Sequence, residues 1–222
     1  MSRLLVANFK SHKTLGDIES WIKAVAPVAK KAKGVEIIIA PSFPHLRATD
    51  HGAAIQLAAQ DVSPFPQGSY TGVVSASQLA ELGVTYCIVG HSERRHYFHE
   101  THADVANKIR ELVTVGITPV LCLGRNDIMP QLAAIEDELY SKIIYAYEPP
   151  EEIGGTIAAE EEEITKGIKM IQDHVATARV IYGGSANAGN IKSIVHAGAE
   201  GALIGTAAKK AEDFNAIIQA LS

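Results

Sequence analysis

No run of roughly 18 or more apolar residues occurs in the 222-residue chain, which excludes a membrane-spanning helix. Cysteine is nearly absent. Cys87 and Cys122 sit in separate apolar runs without CxxC spacing, so a disulfide framework is not expected and buried reduced thiols are. Basic runs are missing too, and the net charge is −5, which argues against nucleic acid or an acidic membrane surface as the main partner. A few local N–H groups can still bind a small anion. Neither a GxGxxG fingerprint nor a P-loop follows an early strand pattern, against a doubly wound nucleotide-binding sheet. No linker, composition shift or low-complexity segment divides the sequence, so one domain over residues 1–222 is expected. Asn8 and Lys10 interrupt the first apolar residues before a signal-peptide core could form, and a cytoplasmic protein is expected.

What the chain does have is hydrophobic residues, 47% of it, enough for a substantial core. They fall in a recurring pattern: an amphipathic stretch, a glycine, then a short apolar run ending in a small or polar residue. Lys33-Gly34-Val35-Glu36-Ile37-Ile38-Ile39-Ala40 is one instance, and Leu82-Gly83-Val84-Thr85-Tyr86-Cys87-Ile88-Val89-Gly90 another. Glycine just past a helix takes a left-handed position at little steric cost. The run after it is β-branched and too short for a helix, so it reads as a buried strand. Strands are predicted near residues 3–8, 35–40, 54–59, 85–90, 117–122, 142–147, 178–182 and 201–204. Helices are predicted between them, among them 18–31, 104–115 and 160–175. Such alternation implies βαβ units and a parallel sheet. Eight units in this length point to an α/β fold of the (β/α)8-barrel type.

In a barrel the C-terminal strand ends converge on one face and build the site. Here those ends are polar. They deliver Asn8 and Lys10, His91, Glu148, Gly183-Gly184-Ser185, and Gly205-Thr206. The two glycine turns are expected to open helices, where backbone N–H groups and the helix dipole favour a phosphate. Each signal is weak alone, but a cation, an imidazole, a carboxylate and two anion cradles at five different strand ends form a much sharper joint signal. His96, His99 and His102 lack a matching ligand set, so no metal site is expected. Asn187 and Asn190 read as cap or turn residues, and 160–163 as an acidic first helical turn.

Asn8-Phe9-Lys10, Val89-Gly90-His91-Ser92-Glu93-Arg94-Arg95, Ala146-Tyr147-Glu148-Pro149 and Tyr182-Gly183-Gly184-Ser185 together resemble the hallmark segments of the triosephosphate isomerase family. Gly68-Ser69-Tyr70-Thr71-Gly72 is similar to that family's dimer loop, and 200–205 to its final phosphate strand. The resemblance spans essentially the whole chain. It implies a TIM barrel that interconverts dihydroxyacetone phosphate and glyceraldehyde 3-phosphate in glycolysis and gluconeogenesis, without a cofactor or metal. Glu148 would be the base, His91 the group that polarises and shuttles protons between the substrate oxygens, and Lys10 the electrostatic stabiliser held with Asn8. Glu93 would support them. Backbone N–H groups of Gly154, Ser185, Gly205 and Thr206 would grip the phosphate. Thr71 would reach the neighbouring subunit's Asn8 and Lys10, implying a homodimer, with a tetramer also compatible. The Pro149–Thr156 segment resembles the family's lid, and its Pro-Pro-Glu start the shorter archaeal-type members. Arg125 and Val73 stand where relatives usually have Glu, and the region from Arg125 to Tyr140 is short. Two competing functions fit parts of the pattern. One is a Schiff-base aldolase using Lys10; the other is a catalytically silent phosphate-binding barrel.

Overall fold

The computed structural model describes residues 2–47, 49–149 and 159–222, in which eight parallel strands close into a barrel in chain order. They are β1 (Arg3–Asn8), β2 (Val35–Ala40), β3 (Gln56–Ala59), β4 (Tyr86–Val89), β5 (Thr118–Leu123), β6 (Ile144–Tyr147), β7 (Arg179–Tyr182) and β8 (Gly201–Ile204). The expected (β/α)8 architecture is therefore present. Two strands start two residues later than expected, β3 at Gln56 and β6 at Ile144, and β4, β5 and β7 one residue later. For β6 the reason is local, because Asp137–Lys142 winds into a 3-10 turn first. The short stretch before it holds another 3-10 turn, Arg125–Asp127, and the one-and-a-half-turn helix Ile128–Ala133.

Side-chain alternation explains why the strands read as continuous apolar runs. Leu4, Val6, Ile38, Ala40, Ala58, Ile88, Val120, Cys122, Ile144, Ala146, Ile181 and Leu203 pack together as the barrel interior. Their strand neighbours, such as Leu5, Ala7, Ile37 and Ile39, join the layer beneath the helices. Both faces of each strand are thus dry, as parallel sheets require. Closure depends on Gly201 at the start of β8. Its φ is +149°, and a Cβ there would lie 1.9 Å from the Leu4 carbonyl oxygen of β1. No other residue type lets the first and last strands approach this closely.

Around the barrel run α1 (Leu15–Ala29), α2 (Phe43–Leu46), α3 (Ala76–Glu81), α4 (Ser92–Phe98), α5 (His102–Thr114), α6 (Ile128–Ala133), α7 (Glu161–Gln172), α8 (Ile191–His196) and α9 (Ala211–Leu221). Their starts are written in the sequence. Thr14, Ser75 and Thr101 each cap a helix and exchange hydrogen bonds with the residue three places on, satisfying N–H groups that have no intrahelical partner. Helix α1 buries Ile18, Trp21, Ile22, Val25 and Ala29 at helical spacing. The Trp21 ring lies between Phe9 (5.0 Å) and Phe214 of α9 (5.1 Å), which fixes the chain just past β1 against the outer layer. Among the described residues no helix is long and apolar enough to cross a membrane.

Candidate active site

The mouth of the barrel follows from carrying the interior alternation one step beyond each strand. The residue two places after Val6 is Asn8, after Ala58 Gln60, after Ala146 Glu148, after Ile181 Gly183 and after Leu203 Gly205. A cavity of about 490 Å³ opens there, and Asn8, Lys10, His91, Glu148, Ser185, Gly205 and Thr206 all line it. Seven residues expected from five strand ends are brought to one surface. Glu93 touches this group through Lys10 and His91. Gly154 lies outside the described residues, as does the expected lid beyond Pro149. Thr71 is exposed in the loop after β3, away from the cavity of its own chain.

Glu148 is only 2% exposed, yet no lysine or arginine side chain pairs with it among the described residues. One carboxylate oxygen accepts a hydrogen bond from the backbone N–H of Ser92 (3.2 Å), and the other lies 3.5 Å from Nε2 of His91. The place of Glu148 is reserved by Gly183: a Cβ there would meet Glu148 Cγ at 2.5 Å. Below it Cys122 remains a thiol, since burial and then the adjacent Glu148 carboxylate push its ionisation well up.

His91 is the N-cap of α4, and its ring does the capping: Nδ1 accepts from the backbone N–H of Glu93 (3.2 Å). A backbone N–H can only donate, so Nδ1 carries a lone pair and the ring proton sits on Nε2. That N–H faces the cavity and Glu148. The cap thereby decides which ring nitrogen is the donor.

Lys10 is a lysine in the left-handed region, with φ +48°. A side chain there costs about 1–2 kcal/mol, so the surroundings must hold it. Its own N–H donates to Asn8 Oδ1 (3.0 Å), and its carbonyl accepts from Gln60 Nε2 (2.9 Å). The ammonium group pairs with Glu93 Oε1 at 2.6 Å. Gly205 lies beside it: a Cβ there would meet Lys10 Cε at 3.5 Å, an ordinary contact. Gln60 was not singled out from the sequence. The interior alternation extended past Ala58 was the signal that could have found it.

One expectation about the anion cradles needs correction. The Gly183-Gly184-Ser185 turn does not open a helix, because α8 begins only at Ile191. Asn187 and Asn190 instead knot the intervening turn: Asn190 Nδ2 donates to the Ser185 carbonyl (2.8 Å) and Asn190 Oδ1 accepts from the Asn187 N–H (2.8 Å). Gly205 leads into a single 3-10 turn, Thr206–Lys209. The macrodipole of a long helix is therefore not what favours an anion here. The backbone of Ser185, Gly205 and Thr206 simply lines the same wall as Lys10.

Elsewhere the three spaced histidines part company. His99 ends α4 in a left-handed turn, and His102 Nε2 lies 3.2 Å from Asp127. No group of three or more His, Cys, Asp or Glu residues with metal-holding geometry occurs among the described residues.

Comparison with known proteins finds relatives along nearly the whole chain. The triosephosphate isomerase family model matches residues 3–221. A curated triosephosphate isomerase of Paracidovorax citrulli is 36% identical, with 98% of each chain covered. Those of Pelobacter propionicus and Clostridium botulinum are 33% and 32% identical, covering 95% of both chains and 97% and 98% of the two chains respectively. With a match of this extent and the expected side chains converging at the barrel mouth, the chain belongs to the triosephosphate isomerase family.

Proposed function

We propose that the chain interconverts dihydroxyacetone phosphate and D-glyceraldehyde 3-phosphate, an aldose–ketose isomerisation belonging to glycolysis and gluconeogenesis. The observation that carries this reading is the convergence of Glu148, His91 and Lys10 on one cavity whose wall is formed by Ser185, Gly205 and Thr206. Glu148 removes a proton from the carbon beside the carbonyl, leaving an enediolate, and returns that proton to the neighbouring carbon. A positioned carboxylate contributes about 10²–10⁴-fold, so it cannot act alone. His91 donates from Nε2 to the substrate carbonyl and carries protons between the two oxygens. Lys10 meets the negative charge that develops on them, in a site where water competes poorly. The phosphate rests on the backbone N–H groups of Ser185, Gly205 and Thr206, joined by Gly154. A Schiff-base aldolase is disfavoured because the Lys10 amine is engaged by Glu93.

Residues 1–222 are read as one catalytic domain. The loop from 62 to 75 supports a homodimer. Phe65, Tyr70 and Val73 are large exposed side chains on it, and the Phe65 and Tyr70 rings stack at 4.7 Å. Such a patch suits a second copy, with Thr71 reaching the neighbour's Asn8 and Lys10. Sedimentation decides between monomer, dimer and tetramer, and a fully active monomer would overturn the shared-loop reading. The two buried thiols fit a cytoplasmic setting.

The test of function is a coupled assay of glyceraldehyde 3-phosphate conversion, comparing wild type with Glu148→Asp. Rapid turnover is expected, with a loss of about 10²-fold or more in the shortened carboxylate. A folded wild type that binds phosphate but does not turn over would sink the isomerase reading and favour the silent binding barrel.

A further inference from the structure

We propose that Gln60 is a positioning residue for the isomerisation: its side-chain amide locks the left-handed backbone of Lys10 and so aims the Lys10 ammonium into the cavity. This inference rests on the reading of Lys10 as the electrostatic stabiliser.

Gln60 follows β3 directly and is partly buried at the barrel mouth. Its Nε2 donates to two carbonyl oxygens at once, Lys10 (2.9 Å) and Ala40 (2.8 Å). Both partners are acceptors, so the amide can present only its NH2 group to them, and both of its protons are used. Ala40 is the last residue of β2, and its carbonyl also accepts from the Phe9 N–H (3.2 Å). The amide therefore ties the turn after β1 to the end of β2 from a base on β3. Three consecutive strands meet at one nitrogen.

The geometry at Lys10 explains why such a tie is needed. With φ at +48°, the backbone has no intrinsic preference for this conformation and would relax to a negative φ if freed. Asn8 holds the N–H side of the residue and Gln60 the C=O side. The Lys10–Glu93 contact is the third hold, but it acts at the far end of a flexible side chain. Releasing the carbonyl lets the turn swing, and the ammonium moves with it. A displacement of about 1 Å in a group that acts by charge is enough to lose much of its effect. Gln60 does not line the cavity and bonds the Lys10 carbonyl, not Nζ; its action runs through the backbone.

The discriminating variant is Gln60→Met, which keeps length and flexibility but removes both donors. Expected in the coupled assay is a fall in kcat/KM of about 10-fold or more relative to wild type. The same substitution in a Lys10→Met background should then cost less than about 2-fold, because there is no ammonium left to aim. An equal loss in both backgrounds would make Gln60 a general structural residue, and no loss in wild type would remove it altogether. A crystal structure of Gln60→Met provides the readout independent of turnover. Lys10 should show a negative φ and a broken Glu93 contact; an unchanged left-handed Lys10 overturns the proposal. If wild type itself lacks isomerase activity, the function fails, while the crystallographic arm still decides whether Gln60 sets Lys10.

Discussion

Two charged clusters lie within a few residues of each other along α4 and behave in opposite ways. Glu93 turns to the barrel mouth, where it joins Lys10, His91 and Glu148. Its neighbour Arg94 turns to a second cluster with Asp61, Glu100 and Lys108. The second group is closed: Lys108 bonds both carboxylates, Arg94 bonds both again, and the Lys108 side chain is 3% exposed. Burial pushes the Asp61 carboxyl above its ordinary range, and Lys108 pulls it back in part. The first group is open. It sets one lysine and one imidazole against two carboxylates, and Lys10 and Glu148 both face the cavity. A cluster whose cations and carboxylates pair among themselves stabilises a fold region; one that faces a cavity leaves charge for a ligand to meet.

Breaking the closed cluster should give the largest effect on stability. Removal of one partner from a buried ion group costs about 3–5 kcal/mol, so Lys108→Met should lower the unfolding free energy by that order while kcat/KM of the folded fraction stays the same. Urea denaturation measures it. A loss below about 1 kcal/mol, the range of an exposed pair, would erase the distinction between the clusters.

The open cluster should answer in the other currency. Glu93→Gln frees the Lys10 ammonium, and a fall of about 10²-fold in kcat/KM is expected if misplacement is the main consequence. Because the pair is part-exposed, with 28% and 39% of the two side chains accessible, the stability change should not exceed about 1 kcal/mol. A thermal melt alongside the assay reads both. If stability falls and activity holds, Glu93 belongs with the structural cluster instead.

The smallest effect concerns the helix that presents Lys108. Thr101 caps α5 and shares reciprocal hydrogen bonds with Asp104, and its replacement by Ala should cost about 1 kcal/mol. The Thr101 hydroxyl, and then its backbone N–H, hold the Asp104 carboxyl below its ordinary value of 3.8. A depressed acid contributes stability above that value and loses it as pH falls through the lower, folded-state one. The gap in melting temperature between wild type and Thr101→Ala should therefore narrow as the pH drops below about 3.8. A gap independent of pH would assign the cap to the hydroxyl alone.

Much of the site was legible before any geometry. Asn8, His91, Glu148, Ser185 and Gly205 sit where apolar runs end in polar or glycine residues, and barrel closure sends all such ends to one face. Gln60 escaped notice because its importance lies in what its amide touches, not in its own chemistry. The cradle after β7 is not legible in the sequence, because a glycine turn announces a change of direction without saying how far off the next helix, α8, starts. Arg125, noted only as a departure, proves to pair with Glu163 of α7, whose other oxygen accepts from Tyr147, the residue before Glu148.

By itself the sequence determined the strand–helix alternation and which polar residues follow the strand ends, because these depend on periodicity along the chain. Only the tertiary structure decided that Gly201 must lie against Leu4, that Gln60 bridges to Lys10 and Ala40, and that Glu93 and Arg94 serve different clusters. Those contacts join residues distant in the chain, and they exist only once eight strands have closed into a ring.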